Sequence, residues 1–199
     1  MAWTREVARS LAAGGVVVLS GGAIGVDAAA REGALAAGGV TAAVLGTGLD
    51  TVYPARHRAL FEAVARLGGA LVTPFERGVP VLRYNFPRRN RVLAGLADAV
   101  IVVEASASSG SLYTARAALD YERVLAARPG SVGTDNLIAQ GAARVTSAEE
   151  VLAATAGRPS APVGVLPPCD SDEDRVLCAV TCSAPTTVDT LGASLGLSA

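Results

Sequence analysis

Three segments of this 199-residue chain hold side chains at spacings that could do chemistry. Residues 20–27 read SGGAIGVD, residues 104–114 read EASASSGSLYT and residues 83–91 read RYNFPRRNR. In the first, Ser20, Gly21 and Gly22 allow a sharp turn into a helix whose leading N–H groups attract an anion. Asp27 is placed to cap that helix. The spacing matches neither GxGxxG nor the P-loop, whose lysine has no counterpart because the chain contains none. In the second segment Ser109, Gly110 and Thr114 belong to a turn rich in hydroxyl and N–H groups, suited to a phosphate or a sugar. It has no GxSxG elbow and no neighbouring base to activate a serine. In the third, Arg83, Arg88, Arg89 and Arg91, together with Asn90, are interleaved with Tyr84 and Phe86. Guanidinium forks and stacking surfaces are what single-stranded nucleic acid uses. Pro87 suits the first turn of a helix, so the arginines flank a helix N-terminus, where they oppose its dipole unless an anion joins them.

Net charge is uninformative, with seventeen basic and eighteen acidic residues and a formal charge of −1. The local distribution is not. Residues 77–97 contain five arginines and no carboxylate, whereas residues 170–174 contain four carboxylates. A basic patch therefore sits inside a neutral chain, which suits a polyanion contacted at one face. The single histidine, His57, follows Arg56 on an expected surface helix, and no catalytic dyad is assigned to it. Cys169, Cys178 and Cys182 have no histidine near them and fit no common zinc spacing, so they are read as reduced structural thiols. No metal and no cofactor is expected.

The elements that must position these segments follow from hydrophobic periodicity. Residues 15–20, 41–46, 69–73 and 99–104 are continuous apolar runs of the kind buried on both sheet faces, with weaker strands at 124–127 and 143–145. Helical spacing occurs at 3–13, 26–37, 55–67, 90–98, 112–121 and 134–140, and Ser147 opens a last helix with a capping-box-like start. Strands separated by single helices imply βαβ crossovers and a parallel sheet, with ligands beyond the carboxyl ends of the strands. The expected fold is α/β, a Rossmann-like three-layer sandwich with a mostly parallel sheet. The main domain spans residues 1–155, a proline-rich linker 156–169, and a tail 170–199 carries two short helical patterns. No apolar run reaches the roughly 18 residues of a membrane-spanning helix, and the N-terminus lacks a basic-then-apolar signal design. A soluble, cytoplasmic protein without a membrane partner is expected.

The succession SGGAIGVDAAAREGAL, AVLGTGLDTVYPARHRAL, NFPRRNRVLAGLADAVIVVEA, SGSLYTARAAL and PGSVGTDNLIAQGAARVTSAEEVL resembles the DNA-processing protein A family (DprA, also called Smf) across about residues 5–155. The resemblance implies an extended Rossmann-like fold, single-stranded DNA binding, loading of the RecA recombinase during natural transformation, and a homodimer. It implies no enzymatic activity. By resemblance, Arg88, Arg89 and Arg91 face the DNA backbone near Gly21 and Gly22. Set against the family's pattern, the usual opening strand is missing, and the tail resembles only the first helices of a winged-helix domain. The family's S-G-x-A-R-G-[IV]-D has Ile24 in place of arginine. Position 31 is arginine where the family tends to have histidine, and Arg31 is a candidate for the replacement charge.

Three other readings stand beside the DNA-binding one. A nucleotide-processing hydrolase on the same kind of sheet would use Glu104, the one strand-end carboxylate well placed as a base, but the PGGxGTxxE loop of such enzymes is replaced by PGSVGTD at 129–135. A mononucleotide could be bound without turnover at the two serine-containing turns. A shortened relative could retain only dimerisation.

Overall fold

The structure is a computed structural model and describes residues 1–156. The linker beyond Ala156 and the tail expected at 170–199 lie outside the described residues. Six short strands alternate with helices. The strands are β1 (Val18–Ser20), β2 (Thr41–Val44), β3 (Ala70–Val72), β4 (Ala99–Val102), β5 (Val124–Ala127) and β6 (Ala143–Arg144). The helices are α1 (Ala2–Ala13), α2 (Val26–Ala36), α3 (Arg58–Arg66), α4 (Asn85–Leu96), α5 (Ser111–Asp120), α6 (Val132–Ala139) and α7 (Ala148–Thr155).

Every strand pairing is parallel. Two three-stranded sheets form, in the orders β1-β2-β3 and β4-β5-β6. Val18 lies opposite Thr41 and Ala42 opposite Ala70, while Ala99 faces Val124 and Ala126 faces Ala143. The Rossmann-like α/β arrangement expected from the alternation is present. Val18 of β1 and Ile101 of β4 pack against one shared apolar cluster, so side-chain packing brings the two halves together where no ladder bonds do.

Strand alternation distributes the core between the two sheet faces. Val100, Val102 and Leu125 join Ala94 of α4 and Ala115, Ala117 and Ala118 of α5 on one side. Ala126 and the half-buried Ile101 point the other way, onto Val7 and Leu11 of α1 and Val151 of α7. Alanine dominates the first cluster, which lets helices lie close to the sheet. Helices α1 and α2 approach closely, and a Cβ on Gly33 would lie 2.2 Å from the carbonyl oxygen of Arg5. Backbone cannot yield as a side-chain tip can. Gly33→Ala is therefore expected to cost about 1–3 kcal/mol through overpacking, read as a lowered denaturation midpoint at unchanged m-value.

The boundaries differ from the expected ones where turn geometry takes over. Residues 15–17 stay outside β1, since Gly15 has φ +84° and Val16 and Val17 are exposed. Residues 55–57 form a 3-10 turn before α3. The largest shift is in α4, which begins at Asn85 instead of 90, because a turn with Asn85 N–H donating to the Leu82 carbonyl (3.1 Å) starts the helix early. Pro87 thus falls in the first turn, where a missing N–H costs nothing.

Candidate nucleic-acid interface

The early start of α4 carries its first two turns over the carboxyl ends of both sheets. Asn85 is buried and donates from Nδ2 to the Gly46 carbonyl at 3.2 Å, just beyond β2. Phe86 lies against Gly46, whose Cβ position is 3.0 Å from the ring, and packs on Tyr53 with ring centroids 6.0 Å apart. One turn on, Arg89 donates from NH1 to the Val44 carbonyl and from Nε to Asn90 Oδ1. Asn90 in turn reaches the Gly110 carbonyl at 3.4 Å. One helix therefore ties the glycine turn after β1 and the strand end of β2 to the serine-rich turn after β4.

Of the arginines expected to face DNA, the structure separates three classes. Arg83 and Arg88 are exposed and, among the described residues, have no carboxylate partner; the Arg88 guanidinium stands over Phe75, 5.6 Å from its centroid. Arg91 is exposed but pairs with Asp120 (3.2 Å) and stacks on Tyr121, away from the glycine turn. Arg89 does not face outward: it is 5 % exposed, with its guanidinium against the Gly21 turn. The reason is helical phase. With 3.6 residues per turn, positions 85 and 89 share the inward face that positions 88 and 91 do not.

The glycine turn itself differs from its sequence reading in three ways. The helix N-cap is Gly25, and Asp27, in the first turn of α2, reaches back to accept the Ala23 N–H at 3.0 Å. Arg31, the candidate replacement charge, is fully buried and donates from NH1 to the Gly21 carbonyl. His57 is buried as well, with Nδ1 donating to the Gly22 carbonyl at 3.1 Å. Ile24 is 55 % exposed. A Cβ on Gly21 would lie 2.2 Å from Arg89 NH1 and 2.6 Å from Asp27 Oδ2, so only glycine admits both side chains beneath the turn.

Asp27, Arg31 and Arg89 make a charge cluster under the turn with one more positive than negative group. Burial pushes the Arg31 guanidinium down to about 10, with Asp27 and Glu32 opposing that fall and Arg89 adding to it. Burial also lowers Arg89, and Asp27 again opposes. Two guanidinium groups held out of water beside a surface turn favour a negative group arriving there.

The remaining site residues line the neighbouring ground. Ser20, Gly21 and Gly22 are buried at the end of β1, Thr114 is buried in α5, Ser109 is half-buried and Gly110 exposed. Ser109 Oγ and Ser111 Oγ are 2.8 Å apart. Between the turns after β1 and β4 lies an open concavity of about 370 Å³, lined by residues including Ile24, Asp27, Glu104, Ser106, Ser109 and Ser111. Among the described residues no group of three or more His, Cys, Asp or Glu side chains could hold a metal ion.

Sequence reasoning missed Asn85, Gly46 and Tyr53 as parts of this face. The GTG at 46–48 was the available signal, a second strand-end glycine turn outside the three segments.

The model of the DNA recombination-mediator protein A family matches residues 1–156. The chain belongs to this family. Protein Smf of Escherichia coli is 48% identical over 156 residues, covering 75% of this chain and 42% of that protein. The crystal structure of DNA processing protein A from Streptococcus pneumoniae superposes with a TM-score of 0.68 at 40% identity, over 75% of this chain and 54% of that one. DNA processing protein A from Helicobacter pylori, whose structure concerns its own single-stranded DNA binding mode, superposes with a TM-score of 0.67 at 30% identity, over 75% of this chain and 70% of the other. Against Smf and the 54% matched in the Mycobacterium tuberculosis relative, the chain spans about half the length of the curated relatives. Among the described residues no helix is long and apolar enough to cross a membrane.

Proposed function

We propose that this DNA recombination-mediator family member binds single-stranded DNA along the carboxyl ends of its strands and presents it to the RecA recombinase, as a cytoplasmic homodimer acting in DNA uptake and recombination. The observation that carries the reading is the pair Arg83 and Arg88. Both are exposed and free of carboxylate partners among the described residues, beside Phe75, Tyr84 and the Phe86–Tyr53 pair. Phosphates are neutralised by the arginines with release of counterions, while unpaired bases meet aromatic faces. Such interactions carry no base code, which suits a protein that must accept any strand and hand it on.

Binding proceeds without chemical turnover in this reading. The Nδ1 of His57 is engaged by a buried carbonyl, and Ser109 and Ser111 pair with each other without a base. Glu104 and Asp27 share the rim of the concavity, so a nucleotide hydrolase is the reading that measurable turnover would favour.

The test is fluorescence anisotropy of a labelled oligothymidine of about 30 nucleotides at two salt concentrations. Micromolar or tighter binding that weakens steeply with salt, competed by single strands and not by duplex, is expected. Absence of binding at low salt overturns the proposal. Because exposed Ile24 stands at the rim of the turn, Ile24→Arg is expected to tighten binding by about 1–3 kcal/mol, the size of a charged hydrogen bond. An unchanged dissociation constant removes position 24 from the interface.

A further inference from the structure

We propose that Arg31 and His57 are positioning residues that set the direction of the glycine turn's peptide groups, a role resting on the reading that this turn meets DNA phosphates. The two side chains come from different elements, Arg31 from the second turn of α2 and His57 from the 3-10 turn before α3. They converge from inside the fold on consecutive carbonyls: Arg31 NH1 donates to Gly21 O, and His57 Nδ1 donates to Gly22 O at 3.1 Å. A carbonyl only accepts, so His57 keeps its proton on Nδ1. Phe61 braces both donors, with the Arg31 guanidinium 5.3 Å from its ring centroid and the imidazole edge-on at 6.0 Å.

A trans peptide points its N–H opposite to its carbonyl. Holding the Gly21 and Gly22 carbonyls toward Arg31 and His57 therefore turns the N–H groups of Gly22 and Ala23 away from those two donors, and the Ala23 N–H is taken up by the Asp27 carboxylate. The direction of these two peptides sets how the turn enters α2, whose N-terminal end favours an arriving phosphate. Arg31 keeps Nε and NH2 buried without partners, so it is retained at a cost that its bond to one carbonyl must justify. Fully buried, it cannot itself touch a strand. Neither residue is assigned a bond to DNA: both act through the turn.

The test compares His57→Phe, His57→Asn, Arg31→Met and Arg31→Lys in the full chain. One readout is the dissociation constant for labelled oligothymidine across a range of salt; the other is amide hydrogen–deuterium exchange of residues 20–25. Loss of one hydrogen bond to the turn is expected to weaken binding about tenfold in the Phe and Met variants and to speed exchange in that segment. The slope of log affinity against log salt should stay that of the parent, because the same side chains still neutralise the phosphates. Asparagine places Nδ2 where the imidazole Nδ1 sits, and lysine keeps a cationic donor, so both conservative variants are expected to return to parental affinity and exchange. Parental affinity and exchange in the Phe and Met variants overturn the assignment. So does a slope lowered by about 0.7, the signature of one phosphate fewer neutralised on a single strand. If the parent fails to bind oligothymidine, the DNA reading falls, and exchange alone decides the positioning role: unchanged exchange in His57→Phe and Arg31→Met overturns it, faster exchange upholds it. If a truncating variant unfolds, with fast exchange throughout β2 and β5, the conservative pair decides, and a weakened affinity in them overturns the assignment.

Discussion

Replacing Arg83 and Arg88 together with alanine is expected to reduce oligothymidine affinity by about two orders of magnitude or more, taking each charged hydrogen bond at roughly 1.5–3 kcal/mol. The slope of log affinity against log salt should flatten by about 1.4, roughly 0.7 for each phosphate of a single strand that the variant no longer neutralises. The fold should be unaffected, because both side chains are exposed and have no ion pair among the described residues whose removal could be felt. Anisotropy titrations at several salt concentrations, beside a denaturation curve, measure all three quantities. A parental slope in the double variant would move the DNA to another face. Arg91→Ala serves as the comparison. Its guanidinium is held by Asp120 and Tyr121, and an exposed pair of this kind contributes about 1 kcal/mol or less.

The second large effect is on stability and concerns Arg89. Although it adjoins Arg88 in the sequence, Arg89→Ala is expected to destabilise the folded chain by about 3 kcal/mol. The substitution opens a cavity under the glycine turn and leaves the buried Val44 carbonyl without its side-chain donor. It also frees Asn90, which bridges to Gly110, from its anchor. Offsetting part of this, a desolvated guanidinium is removed, which is why the net effect stays well below the sum of the broken bonds. Urea denaturation of Arg88→Ala and Arg89→Ala side by side checks the split: a shifted midpoint is expected for the second alone. A variant that replaced Arg88, Arg89 and Arg91 together would mix weakened binding with weakened stability, so the single substitutions carry the information.

The buried arginine pair also bears on how a family member with Ile24 could retain anion attraction. Charge beneath a surface acts over a distance when the medium between is poorly polarisable, even without direct bonding. Arg31 and Arg89 outnumber Asp27 under the turn, and Glu32, which also acts on Arg31, is paired with Arg5, so the balance of charge at the turn stays positive although the side chain at position 24 is apolar.

Much of this protein was legible in its sequence. Continuous apolar runs and helical spacing placed all six strands and seven helices of the described region, because a sheet buried on both faces leaves no other use for runs such as AVIVVE. The Ser147 start of α7 was equally local: its side chain accepts the Glu150 N–H, a bond made within one turn. The three chemistry-bearing segments were recognisable by residue type, and all of them lie at strand ends.

What the sequence left open was which way each of these residues points and what it touches. Four arginines in nine residues look equivalent as text. Only the early start of α4, set by the turn at Leu82 and by Asn85 on the Gly46 carbonyl, fixes the helical phase that buries Arg89 and exposes Arg88. Arg31 and His57 read as a spare surface charge and a surface histidine, because their carbonyl partners lie 10 and 35 residues away in the chain. Local periodicity determines elements, since its physics extends over a few residues. The division of cations between solvent and interior depends on packing between distant segments, and it was therefore decided only when the sheets, α2 and α4 closed around the glycine turn.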